Sequence, residues 1–411
     1  MGWYQAIIGQ RMDIMARAMV VFTAFAIPLS TAMMSTASGL LLFCFLLSGQ
    51  YKQRLAAIVE SPVALWSLAL FFLLGIGVLY GSAESSVALD TLSKYKKLIL
   101  IPIIISLMLV KRWRDYAIWG FIFGMSVLLL MSFMKAFGWL PETGHSEGQG
   151  AVIFKSRIAH SIMMAFFFYL LVHYAVVHAR WRWGLVVLAV LAAYNLLFMV
   201  TGQTGYVIFL CLLFLLLFQW QGWRGCLIAL IAVPLLFAGA FFGSDTFKTR
   251  VSDTTENFSR YISGDFVRDG VSLRLQYYEN ALEIVKENPL FGVGTGGFAV
   301  EYDKLAAQKN IETTQNPHNE YLMIASQLGV VGLVLFLGLL LHQLRLSFRL
   351  EKTDRYLVHG LLVTMAVGCL FNSLLLDSGE GKFFAIMVGI LFSMGAHRTA
   401  DDEPKEAVAA T

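Results

Sequence analysis

His318 is the residue with the most evident chemical use. It stands in Gln315-Asn-Pro-His318-Asn319-Glu320-Tyr321, immediately before a long apolar run. An imidazole at the start of a membrane helix sits where the helix dipole favours an anion and disfavours the protonated ring. A neutral ring there can take a proton from a hydroxyl as a general base. The plainer alternative is a polar helix start, with Asn316 or His318 near the cap. Glu320 follows as an orienting group or second base, and Asn319 joins the binding candidates.

The cations suggest a matching anion. Lys94 and Lys97 share one helical face, either as an interfacial anchor or as a site for a phosphate-bearing lipid. Arg157 and His160 likewise share a face, at the start of another apolar run. Together with the lysines they suggest an anion pocket, in which an arginine can grip pyrophosphate oxygens bidentately. Arg274 lies on an amphipathic segment, Leu273–Glu287, that Asn288-Pro289 terminates. Thr201-Gly-Gln203-Thr-Gly-Tyr206 reads as a tight turn, and Gln203, Thr204 and Tyr206 offer groups that a sugar could use. Gly292, Gly294 and Gly297 fit a dinucleotide fingerprint in spacing only. A helix rather than a strand precedes them, so a compact glycine turn is the better reading.

The elements that must position these groups are membrane helices. Of 411 residues, 58% are apolar and 14% charged, and the mean hydropathy is +0.68. A soluble fold lacks the charge to cover so much apolar surface. A net charge of +4 is too small to suggest a nucleic-acid binder. Apolar runs near 13–30, 34–49, 62–80, 97–110, 116–137, 159–178, 183–200, 204–220, 223–242, 320–345, 356–377 and 382–396 give about twelve spans. The first reads as a retained span rather than a removed leader. Lys and Arg concentrate in one set of loops, including Arg11, Lys52, Lys111, Arg112, Arg180, Arg224, Arg349 and Lys352. That set is expected to be cytoplasmic, with both termini inside. The fold class is therefore all-α: a polytopic membrane protein with helices 1–9 in residues 1–242, one large helical loop on the outer side in 243–318, helices 10–12 in 319–397 and a cytoplasmic tail in 398–411. Cys44, Cys211, Cys226 and Cys369 show neither zinc-site nor disulfide-framework spacing.

Asn288-Pro-Leu-Phe-Gly292-Val-Gly294, then His318-Asn-Glu-Tyr-Leu, then Gln327-Leu-Gly329-Val-Val-Gly332 resembles the O-antigen ligase/polymerase superfamily. The Asn372-Ser373 stretch with Asp377 and Glu380 extends the likeness. Within the superfamily the pattern is most similar to the lipopolysaccharide O-antigen ligases. The resemblance implies a GT-C-like glycosyltransferase of the bacterial inner membrane that works at the periplasmic face. Its donor would be O-polysaccharide on undecaprenyl pyrophosphate and its acceptor a sugar hydroxyl of lipid A–core. Transfer would invert the anomeric centre without metal or other cofactor. The family's functional His falls on His318 and a loop Arg on Arg274. Many relatives carry an Arg where this chain has Gln203, which removes a phosphate contact expected there.

Arg274, Arg157, Lys94 and Lys97 are then the candidates for the leaving pyrophosphate, and His318 for the acceptor proton. An O-antigen polymerase or a protein O-oligosaccharyltransferase of the same superfamily is the alternative. Against the polymerase, the 139–157 loop is modest where such enzymes commonly have a second large outer loop. A lipid or polysaccharide transporter fits less well, because polar residues gather on one side and no half-to-half repeat is visible.

Overall fold

The computed structural model describes residues 8–141 and 150–393. The expected tail 398–411, and residues 142–149 of the 139–157 loop, lie outside the described residues. The described chain is helical throughout and contains no β-strand. It is an all-α polytopic membrane protein.

Among the described residues eight helices are long and apolar enough to cross a membrane, and nine if the bent pair Thr31–Leu47 and Tyr51–Val59 is one span. The expected runs number about twelve, four more than these eight. Every expected run is helical, but Gln10–Ala26, Thr31–Leu47, Lys97–Leu107 and Ser378–Phe392 are shorter, at 17, 17, 11 and 15 residues. The last two owe their apolar character to the protein interior. Ten of the eleven residues of Lys97–Leu107 are buried, as is Ser378–Phe392 from Glu380 onward. An apolar stretch of that length is more often a core helix than a span. By contrast, Trp223–Gly243 has only 17% of its apolar window buried, which puts it at the bundle's edge.

Serine and asparagine caps set several helix starts. Ser61 accepts from the Ala64 N–H ahead of Pro62, Ser156 from Ala159, and Asn319 from Leu322. The segment between the ninth and tenth expected spans folds as three helices, Asp245–Ile262, Gly270–Glu287 and Gly297–Lys309. Tyr277, Ala281 and Ile284 project from one face of Gly270–Glu287 onto Phe298, Tyr302 and Leu305, giving the cap its own small core. Asn280 donates to the Tyr302 hydroxyl (3.1 Å), and Lys309 pairs with Glu283 across the two helices.

The cap is clasped into the bundle by glycines. The helix Glu320–Ser347 is broken at Gly329, whose φ of 63° and ψ of −159° are open to glycine alone. The break frees backbone groups that lipid cannot satisfy. The glycine turn satisfies them: Val293 N donates to Ser326 O (2.9 Å), Gly294 N to Gln327 O (2.8 Å), and Val330 N to Pro289 O (2.8 Å). On its other side Thr295 N donates to Gly77 O (3.0 Å), and a Cβ on Gly294 would lie 2.1 Å from Gly81 Cα. The Gly292-Val-Gly294 motif is thus a joint that fixes where Glu320–Ser347 begins, and with it His318.

Candidate active site

Gly270–Glu287 carries two functional faces. Asp269 caps it, accepting from Val271 N (2.6 Å) and Ser272 N (3.2 Å). One face packs Tyr277 and Ala281 into the cap core. The other, at i, i+3, i+4 and i+7, turns Val271, Arg274, Leu275 and Tyr278 into a cavity of about 420 Å³. Gln203, Thr204 and Val207 form its floor, Thr254, Thr255 and Phe258 the opposing wall, and Phe371 one end. Its lining surface is mainly apolar, and among the described residues Arg274 is the one charged side chain on it.

That cation is not neutralised from within. No Asp or Glu pairs with Arg274 or with Arg250 among the described residues. Arg157 lies close enough to both for their charges to interact. Burial, then the neighbouring Arg157, depresses the Arg274 pKa, while the Tyr278 side chain opposes that shift. Partly buried cations left without carboxylates make a site for an anion.

His318 stands beside this cluster in a constrained backbone. Its φ is 54°, the left-handed region that non-glycine residues rarely adopt. Three contacts hold it there. The His318 N–H donates to Asn316 Oδ1 (2.8 Å), which also accepts from Ser373 Oγ (2.7 Å). The Tyr278 hydroxyl donates to Leu370 O (2.8 Å) and lies 3.2 Å from His318 O. The imidazole stacks on Tyr277 with 6.1 Å between ring centroids. Asn372 donates to Thr204 Oγ1 (3.0 Å), so the chain Thr204–Asn372–Ser373–Asn316–His318 ties the cavity floor to the imidazole segment. Burial, then the Arg274 charge, lowers the His318 pKa, favouring the neutral ring that a base needs.

The other sequence candidates divide sharply. Gln203 lines the cavity but donates to Thr254 Oγ1 (2.7 Å), bracing Asp245–Ile262 against the bundle. Asn319 is buried; it caps its helix and donates to Leu370 O (3.1 Å). The structure corrects four expectations. Tyr206 does not offer its hydroxyl to a ligand, since it donates to Val200 O while the ring packs on Phe247. His160 is fully buried between helices, bonded to Asn195 Oδ1 (3.0 Å), and is not at the mouth of an anion pocket. Glu320 is no free base: it is fully buried and accepts from Tyr95 Oη (3.1 Å), Leu375 N (2.7 Å) and Leu376 N (3.2 Å). The lysines do not join the arginines. Lys97 is buried and donates to Asp377 O (2.5 Å), and Lys94 pairs with Asp90 (3.0 Å) at a separate cavity of about 330 Å³.

Sequence reasoning missed Arg250, Tyr278 and the bridging role of Asn316. Tyr278 was findable, since it follows Arg274 by one helical turn. Arg250 carried no local signal, because only the tertiary fold brings Asp245–Ile262 against Gly270–Glu287.

The fold and this site define a polytopic membrane protein whose helical cap presents arginines and a histidine over an apolar cavity. The family model described as O-antigen ligase matches residues 195–337, a segment spanning the cavity floor, the cap, the glycine joint and His318. That match, over about a third of the chain, supports membership of the O-antigen ligase family and a function of the O-antigen ligase/polymerase type. No curated protein matches it.

Proposed function

We propose that the chain is an O-antigen ligase. It moves O-polysaccharide from undecaprenyl pyrophosphate to a sugar hydroxyl of lipid A–core, at the periplasmic face of the inner membrane. The observation that carries this reading is Arg274 on the wall of the 420 Å³ cavity, with Arg157 and His318 near enough to feel its charge and Arg250 near Arg157. The pyrophosphate oxygens lie against the guanidinium groups, and the first apolar units of the carrier lie against Val207, Phe258 and Phe371. His318 removes the proton from the acceptor hydroxyl, whose oxygen attacks the anomeric carbon from the face opposite the leaving group. The anomeric C–O bond to phosphate breaks, and the carrier departs as the pyrophosphate with its growing charge held by arginine. Inversion follows from the single displacement. Arginines fixed in place beforehand stabilise that charge more in the transition state than in the bound substrate.

The test is reconstitution: purified protein, lipid-linked O-polysaccharide and lipid A–core, with EDTA present. Polysaccharide attached to the core supports the reading. If the donor is instead extended by a second donor glycan while the core stays bare, the reaction is that of a polymerase and the ligase reading fails.

A further inference from the structure

The second cavity has no part in the donor chemistry, yet it borders the same catalytic segment. Ser86, Asp90, Thr91 and Lys94 line one wall, from the helix Ser85–Tyr95. Gln315 lines it three residues before His318, and Met323 lines it from the first turn of the broken helix. The chemistry of this lining differs from that of the arginine cavity. Its one cation, Lys94, is matched by Asp90 at 3.0 Å, so the wall presents a donor beside an acceptor with no net charge. Hydroxyl and amide groups from Ser86, Thr91 and Gln315 add more of both kinds. Such a set suits a ligand whose groups each donate and accept, which describes the vicinal hydroxyls of a sugar. It suits a phosphate poorly, since Asp90 would repel one. Apolar side chains, Val87, Phe298, Met323 and Leu376 among them, line the rest and can take the C–H face of a pyranose ring. At about 330 Å³ the cavity lies at the small end of the roughly 300–1,000 Å³ usual for small-molecule sites.

The geometry points to this cavity as the acceptor subsite, which holds one or two sugars of the acceptor glycan so that a hydroxyl reaches His318 from the side opposite the arginines. The assignment rests on the glycan-transfer reading above. It adds that donor and acceptor occupy separate cavities on either side of the Gln315–Glu320 segment. Asp90, Lys94 and Gln315 are specificity residues in this account, and His318 alone is shared.

Two measurements test it. In the first, Asp90→Asn, Thr91→Val and Gln315→Ala are made singly in the full-length protein. Asp90 and Gln315 are exposed, so their substitution leaves folding intact. Each is expected to raise the KM for lipid A–core by about tenfold, the cost of one lost hydrogen bond to a charged or well-placed group, while the KM for lipid-linked donor holds. A rise in donor KM, or no change in acceptor KM, overturns the assignment. The second measurement needs no turnover: a photoreactive side chain at position 315 is irradiated with labelled core oligosaccharide freed of its lipid. Cross-linking that excess core oligosaccharide suppresses, and a prenyl pyrophosphate does not, supports the subsite. Absence of the cross-link, or its suppression by prenyl pyrophosphate, overturns it. If the cross-link forms while wild-type protein transfers nothing, the ligase reading fails and the glycan site stands.

Discussion

The two sides of the His318 segment hold cations in opposite conditions. On one side Arg274 lines a mainly apolar cavity, and neither it nor nearby Arg250 has a carboxylate partner among the described residues. On the other, the buried or paired lysines are each held within the protein. Lys94 pairs with Asp90, Lys97 donates to the Asp377 carbonyl, Lys155 to Thr31 Oγ1 (3.1 Å) and Lys382 to Ser35 Oγ (2.7 Å). Both groups carry the same positive charge. What distinguishes them is compensation: a partly buried cation without a partner is costly unless a ligand supplies the counter-charge, whereas a compensated one needs no ligand charge.

The largest effects should fall at the boundary and on the arginine side. His318→Ala is expected to lower the rate of glycan transfer by about 10²–10⁴-fold at normal protein level, the usual contribution of a general base. Full transfer by that variant would remove the imidazole from the chemistry. Arg274→Ala should cost about 10²–10³-fold in kcat, as loss of a fixed donor to developing charge does, whereas Lys94→Ala should leave kcat near wild type. Equal losses from the arginine and the lysine would erase the distinction between the sides.

Much of this was legible in the sequence, and what was not has a common cause. The apolar runs, the helix around Arg274, the glycine turn and the Asn-Pro-His segment all follow from local pattern, and each appears as a local element. The number of spans did not follow, because Lys97–Leu107 and Ser378–Phe392 are as apolar as membrane helices while facing protein. Grouping Lys97 and Arg157 as one anion site failed for a related reason. Charge can be read from a sequence but compensation cannot, since the Asp377 carbonyl that accepts from Lys97 lies 280 residues away in the chain. Glu320 was similarly ambiguous. A carboxylate two residues from a candidate base looks catalytic until Tyr95 and the Leu375–Leu376 backbone are seen to occupy it.

Glu320 therefore provides a smaller test, on the compensated side. Glu320→Ala leaves the buried Tyr95 hydroxyl and two backbone N–H groups without their acceptor, at a cost of about 1–3 kcal/mol for each group left unsatisfied. The expected outcome is a lower melting temperature in detergent. Glu320→Gln, which keeps one acceptor oxygen for the Leu375 and Leu376 N–H groups, should recover most of it. A catalytic Glu320 would give the reverse: normal melting and a Gln variant as inactive as the Ala variant.

The finest test reads the electrostatic link across the boundary itself. His318 must be neutral to accept a proton, so the acid limb of kcat/KM, which reports the free enzyme, follows its pKa. Burial and the Arg274 charge both disfavour the imidazolium, which places that limb below the ordinary histidine value of 6.5. Arg274→Gln removes one of the two causes, so the pKa rises and the residual activity should begin to fall at a higher pH than in the wild type. Lys94→Gln, on the compensated side, should leave the limb where it was. An unmoved limb in Arg274→Gln would mean that the arginine charge does not act on the ring, and the pairing of base with anion site would lose its electrostatic support.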